Sequence, residues 1–199
     1  MTFIYLHGFR SSPASLKAAQ LAAAVAALPE ASRPALHVPM LIHRPVQALA
    51  QIEALLAAAA APVCLVGSSL GGFYATVVAE RHGLRAVLVN PAVRPDEGLR
   101  AYAGVQMNMY TGERFEVTGG HFAELGAMRV GRISRPERYF LLVQTGDDVL
   151  DFRQAVAFYA GALQFVHGGG DHAFVGFDAQ IPAILRFGGY DPQFIVHRT

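Results

Sequence analysis

The chain holds a single lysine, Lys17, and a single cysteine, Cys64, in 199 residues. One thiol excludes an intramolecular disulfide and fits a reducing compartment. One lysine leaves no Gly-Lys-Ser/Thr phosphate loop, and Schiff-base chemistry would fall to Lys17 alone. Charge is scarce too, at 16% of residues with a net of +1. The arginines are scattered rather than striped, which argues against a polyanion surface and a nucleic-acid partner. With 53% apolar residues the chain does not read as disordered. No uncharged apolar stretch suits a membrane span, since the longest, residues 54–66, is broken by Pro62 and too short. Met1 to Gly8 shows neither a basic n-region nor a small-residue cleavage site, so it does not read as a secretory leader. The expectation is a soluble, cytoplasmic protein with no membrane contact, folded as one domain over residues 1–199.

What is present is an alternation of short apolar runs and Ala/Leu-rich helical stretches. Strands are expected at residues 3–6, 35–38, 63–66, 86–89, 139–143 and 163–166, several of them apolar at every position. Helices are expected at 14–28, with Ser12 and Pro13 as N-cap and first residue, and at 46–61, 70–82, 151–159 and 181–187. Strands apolar on both faces, alternating with helices, describe a parallel sheet between helical layers. The exception is 94–138, which shows no strong strand and reads as a cap-like excursion. It carries Tyr102, Met107, Met109, Tyr110, Phe115 and Phe122. These side chains either cover the sheet as ordinary core or line a pocket, and Met109, Tyr110 and Phe115 are the candidates for substrate contact.

The sharpest chemical signal is Gly67-Ser68-Ser69-Leu70-Gly71-Gly72, between an expected strand and an expected helix. Gly-x-Ser-x-Gly centred on Ser69 suits a nucleophile on a strained strand-to-helix turn, where a Cβ two residues to either side would collide. Ser68 is the rival serine, but Val66 and Leu70 flank it at that spacing. The helix starting at Leu70 aims its first N–H groups at the site, where an oxyanion would develop. An acid and a histidine should follow in that order. Asp147 stands first off a strand in Gln144-Thr145-Gly146-Asp147, with Asp151 the alternative acid or the cap of the next helix, and Asp148 facing solvent. His172 follows the glycines of His167-Gly168-Gly169-Gly170-Asp171-His172, which let the loop carry its imidazole over the sheet edge. His167, Asp171 and His172 lack a cysteine partner or a tight i,i+4 histidine pair, so neither metal nor cofactor is expected. His7-Gly8-Phe9 closes the first strand, placing the Phe9 N–H beside that of Leu70 as an oxyanion hole, with His7 in a supporting role. His37, His43, His82, His121 and His197 read as surface or helix-end groups, with His43 and His121 in loops that border a pocket.

Taken together these residues resemble the small YqiA/YcfP-like esterases of the α/β-hydrolase superfamily, most closely the YqiA branch. The match runs from Ile4 to Phe177. It rests on His7-Gly8-Phe9 with Ser11-Ser12-Pro13, on 67–75, on Asn90-Pro91-Ala92, on Tyr110-Thr111-Gly112, on 144–147 with Val149-Leu150-Asp151, and on 169–174. The chain departs at Asp171, where the family usually has Asn, and in a longer tail, 188–199. The resemblance implies a minimal α/β-hydrolase fold with six parallel strands in the order 2-1-3-4-5-6. It also implies cofactor-free hydrolysis of carboxylic esters, or of acyl-CoA thioesters, by Ser69, Asp147 and His172. Two rival readings stand beside it: another α/β-hydrolase chemistry such as a peptidase, and a non-catalytic binding protein on the same scaffold. The partner expected is a small ester or thioester; the oligomeric state is not legible.

Overall fold

We describe residues 1–190 of the computed structural model; the tail beyond Tyr190, with His197, lies outside the described residues. The elements in chain order are β1 (Thr2–Leu6), α1 (Leu16–Ala26), β2 (Ala35–His37), α2 (Pro45–Ala58), β3 (Val63–Ser68), α3 (Leu70–His82), β4 (Arg85–Val89) and α4 (Pro95–Gly98). They continue with β5 (Gly104–Met107), β6 (Arg114–Val117), α5 (Gly119–Met128), β7 (Tyr139–Gln144), α6 (Phe152–Phe158), β8 (Leu163–His167) and α7 (Phe177–Gly188).

Six strands form one sheet in the order β2-β1-β3-β4-β7-β8, every pair parallel. That is the expected 2-1-3-4-5-6 order once the hairpin β5–β6 is set aside. The pleat sends alternate residues to opposite faces, and both faces are dry. Ile4, Leu6, Leu65, Leu88 and Leu141 pack with Ala48 and Ile52 of α2 and Phe73 and Val77 of α3. Phe3, Tyr5, Val66, Val87 and Leu142 pack with Leu21 and Val25 of α1 and Ile181 and Ile184 of α7. This two-sided burial is why the central strands read as continuous apolar runs rather than alternating ones.

Three local expectations are corrected. The excursion 94–138 does contain strands: β5 and β6 pair antiparallel as a small separate sheet, preceded by α4 and followed by α5. The cap of α1 is Ser15 rather than Ser12, whose hydroxyl instead accepts from the Ala14 N–H in the preceding turn. The last helix begins at Phe177, not residue 181, and runs through Pro182. Phe177, Ile181, Ile184 and Leu185 form one buried stripe against the sheet, and that burial outweighs the backbone bond the proline removes.

Candidate active site

Three strand ends of the sheet converge on one point. β3 runs out at Ser68, and Ser69 sits at φ 54°, ψ −121°, immediately ahead of α3. A non-glycine residue rarely adopts this conformation, and its surroundings hold it there. The Ser69 N–H donates to Val89 O at 3.1 Å, and its carbonyl accepts from the N–H groups of Gly72 (2.9 Å) and Ala92 (3.0 Å). A Cβ on Gly67 would strike the backbone of Gly71, and one on Gly71 the Leu6 carbonyl. Both glycines are therefore required for steric reasons. Gly8 presses on the same turn: a Cβ there would lie 3.1 Å from Ser69 Cβ and 3.6 Å from Ser69 Oγ.

His172 reaches this serine from the loop after β8. Its Nε2 is 3.1 Å from Ser69 Oγ, and its Nδ1 is 2.8 Å from Asp147 Oδ2. The Asp147 carboxylate accepts, so Nδ1 carries the proton and Nε2 is left to accept from the serine. The Asp147 side chain is 2% exposed, against 25% for His172. Burial alone would raise its pKa; the His172 bond and the N–H groups of Leu150 and Val149, each 2.9 Å from Oδ1, outweigh that and hold it below the usual carboxylate value. Asp148 is exposed, and Asp151 caps α6 by accepting from the Arg153 N–H. Phe9 and Leu70 stand beside the serine, and their N–H groups have no acceptor among the described residues.

Two buried amides hold the histidine loop, and neither was given a role from the sequence. Asn90 Nδ2 donates to the carbonyls of Asp171 (3.0 Å) and His172 (3.2 Å), while its Oδ1 accepts from the Gln144 N–H. Gln144 Oε1 accepts from the N–H groups of Asp171 (3.1 Å) and Val175 (2.9 Å), and its Nε2 donates to Val175 O. The available signal was a lone amide ending an otherwise apolar strand, since a polar group buried there needs partners. Lys17 adds a bond from Nζ to Ala173 O at 2.8 Å. His7 is structural: its Nε2 accepts from the Leu41 N–H, so its Nδ1 donates to Gly8 O, and burial lowers its pKa.

Ser69 and His172 open onto a cavity of about 700 Å³, lined also by Phe9, Arg10, Leu70, Leu99, Tyr102, Met109, Val149 and Leu150. Of the three residues expected to contact substrate, only Met109 lines it, and it is 70% exposed. Phe115 lines a smaller cleft of about 170 Å³ on the other side of Phe9, stacked on His43 with ring centroids 4.7 Å apart. Tyr110 is half exposed and lines neither space. His43 borders the smaller cleft, whereas His121 lies in the first turn of α5 rather than in a loop, its Nδ1 accepting from the Thr118 N–H. The hairpin is tied to the loop after β1: Met109 N–H donates to Arg10 O at 2.9 Å, and Asn108 Nδ2 to Ser11 O at 2.8 Å. Among the described residues no group of three or more His, Cys, Asp or Glu is placed to hold a metal ion, and no helix is long and apolar enough to cross a membrane.

A parallel sheet with a serine on a sharp strand-to-helix turn, and an acid and a histidine after later strands, is the α/β-hydrolase fold. The chain is similar in structure to Est1E from Butyrivibrio proteoclasticus, with a TM-score of 0.72 at 15% identity, over 94% of this chain and 86% of that one. It is likewise similar to mouse alpha/beta hydrolase domain-containing protein 10, with a TM-score of 0.70 at 15% identity, over 92% and 87%. A third similar structure is the esterase domain of a Rhodothermus marinus protein, with a TM-score of 0.62 at 16% identity, over 95% and 85%. Residues 2–189 match the model of the family described as uncharacterised protein family UPF0227, and the chain belongs to that family. This bears out the YqiA-like α/β-hydrolase resemblance read from the sequence.

Proposed function

We propose that the protein is a serine hydrolase of carboxylic esters, working through an acyl-serine intermediate. The observation that carries the reading is the continuous Asp147–His172–Ser69 chain at 2.8 and 3.1 Å, beside two N–H groups without acceptors among the described residues. His172 Nε2 takes the Ser69 proton as Oγ attacks the acyl carbonyl, and the N–H groups of Phe9 and Leu70 receive the oxyanion. Collapse expels the alcohol or thiol, which leaves with the proton held on His172. Water then attacks the acyl-serine, gives its proton to His172, and frees the acid as Ser69 is reprotonated. Asp147 fixes the tautomer and balances the imidazolium, and its lowered pKa keeps it ionised for that task. Cys64 is no rival nucleophile, because burial pushes its thiol up to about 12.

The expected partner is a small ester or thioester, and the single buried cysteine supports work in a reducing cytoplasm. The similar structures include an esterase domain and an alpha/beta hydrolase domain-containing protein, which supports hydrolase chemistry. The test is a panel of 4-nitrophenyl esters from acetyl to palmitoyl, beside acyl-CoA thioesters, with wild type and Ser69→Ala. Turnover of esters that Ser69→Ala lowers by about 10⁴-fold or more supports the reading. An inert wild type, or an active Ser69→Ala, overturns it.

A further inference from the structure

Arg10 borders both the cavity that holds Ser69 and the smaller cleft behind Phe9. It follows directly on Phe9, whose N–H is assigned to the oxyanion, and φ 56° at Arg10 fixes the turn. Its carbonyl is held by the Met109 N–H. Among the described residues the guanidinium makes one hydrogen bond, from Nη1 to the neutral Gln106 Oε1 at 3.2 Å, and Nε is buried without a partner. The other charges lining the large cavity are satisfied. Arg94 pairs with Glu97, Glu97 also with Arg129, and Asp151 with Arg153. Glu113, in the smaller cleft, is exposed and forms no ion pair among the described residues. Arg10 is therefore the one cation of the catalytic cavity without an acidic partner among the described residues. Nε is sealed from the cavity, but Nη2 makes no hydrogen bond among the described residues and is not buried, so a carboxylate in the cavity can meet the planar guanidinium there.

Resting on the esterase reading, we propose that Arg10 is an anion-recognition site, and that the substrate carries a carboxylate a few bonds from the scissile carbonyl. Being adjacent in sequence to an oxyanion donor, Arg10 serves a charge close to the reacting centre. The phosphates of coenzyme A, at the far end of a long pantetheine arm, do not meet that requirement. The carboxylate belongs either to the acyl part, as in a dicarboxylic half-ester, or to the alcohol part.

The test compares kcat/KM for 4-nitrophenyl butyrate with two anionic esters. Mono-4-nitrophenyl glutarate carries the charge on the acyl side, and 4-butyryloxybenzoate carries it on the alcohol side. The alcohol-side ester is referred to its own neutral counterpart, methyl 4-butyryloxybenzoate. Wild type should prefer at least one anionic ester over its neutral counterpart by about 10- to 100-fold, the range expected of a charge-assisted bond. Arg10→Gln should collapse that ratio, Arg10→Lys should restore part of it, and rising salt should lower it in wild type. Arg10→Gln can also disturb the neighbouring Phe9 N–H, but that would slow charged and neutral esters alike, which is why the ratio is the readout. A wild type that hydrolyses neutral esters with no anionic preference overturns the Arg10 assignment and leaves the esterase reading standing. A ratio unchanged in Arg10→Gln overturns it equally. A protein inert to all of these esters, with Ser69 unlabelled by a fluorophosphonate, overturns both.

Discussion

On the proposed mechanism, the polar residues around Ser69 divide into those that carry the proton path and those that hold it still. Asp147→Asn should lower kcat by roughly 10³- to 10⁴-fold, because the amide offers a donor where His172 Nδ1–H needs an acceptor. The same change has a signature in stability. The Asp147 pKa is lowered in the folded state, so its contribution is fully present above the ordinary carboxylate value of about 3.9 and is lost as pH falls through the folded one. The Tm advantage of wild type over Asp147→Asn should shrink as pH falls below about 4, and thermal melts across that range check it. Gln144→Leu removes the acceptor of the Asp171 and Val175 N–H groups. It should cost about 1–3 kcal/mol and lower kcat more than it raises KM, because it loosens the loop that aims His172. Ser69, Asp147 and His172 could be picked out in the sequence because each follows a strand end in a glycine-marked loop. Asn90 and Gln144 carry no such mark, since their partners are backbone groups 27 to 82 residues away.

Among the elements, the turn between β3 and α3 is the least forgiving. Gly71→Ala drives a Cβ into the Leu6 carbonyl of β1, backbone against backbone, and should cost about 1–3 kcal/mol or more. Gly168→Ala, where a Cβ meets nothing within 4 Å, should leave the melting curve nearly unchanged. The hairpin β5–β6 separates two roles that its sequence could not. Met109→Ala should alter the butyryl-to-octanoyl preference with little change in Tm, because Met109 lines the cavity and is largely exposed. Phe115→Ala removes a stack on His43 and an edge contact with Phe9, and should lower Tm while shifting that preference less. The strands themselves were hidden by their setting. Each is only four residues long: β5 turns its apolar Val105 and Met107 to water, and β6, Arg114-Phe115-Glu116-Val117, alternates over too short a run to stand out. Central strands such as β3, buried on both faces, carried a signal that needed no context.

At the scale of the whole molecule, the parallel sheet brings residues 69, 147 and 172 together because ligand-facing loops gather at the carboxyl ends of its strands. That topology was legible from the strand–helix rhythm, whereas the cavity was not, since it forms between the loop after β1, the segment 91–102 after β4, the hairpin and the loop after β7. The proposed mechanism requires Ser69 as the nucleophile, and one measurement tests this without knowledge of the substrate. Wild type, Ser69→Ala and Ser68→Ala are treated with a fluorophosphonate and the modified residue is located by peptide mass spectrometry. The account predicts one adduct, on Ser69, in wild type and in Ser68→Ala, and none in Ser69→Ala. An unlabelled wild type, or an adduct elsewhere that persists in Ser69→Ala, would contradict it.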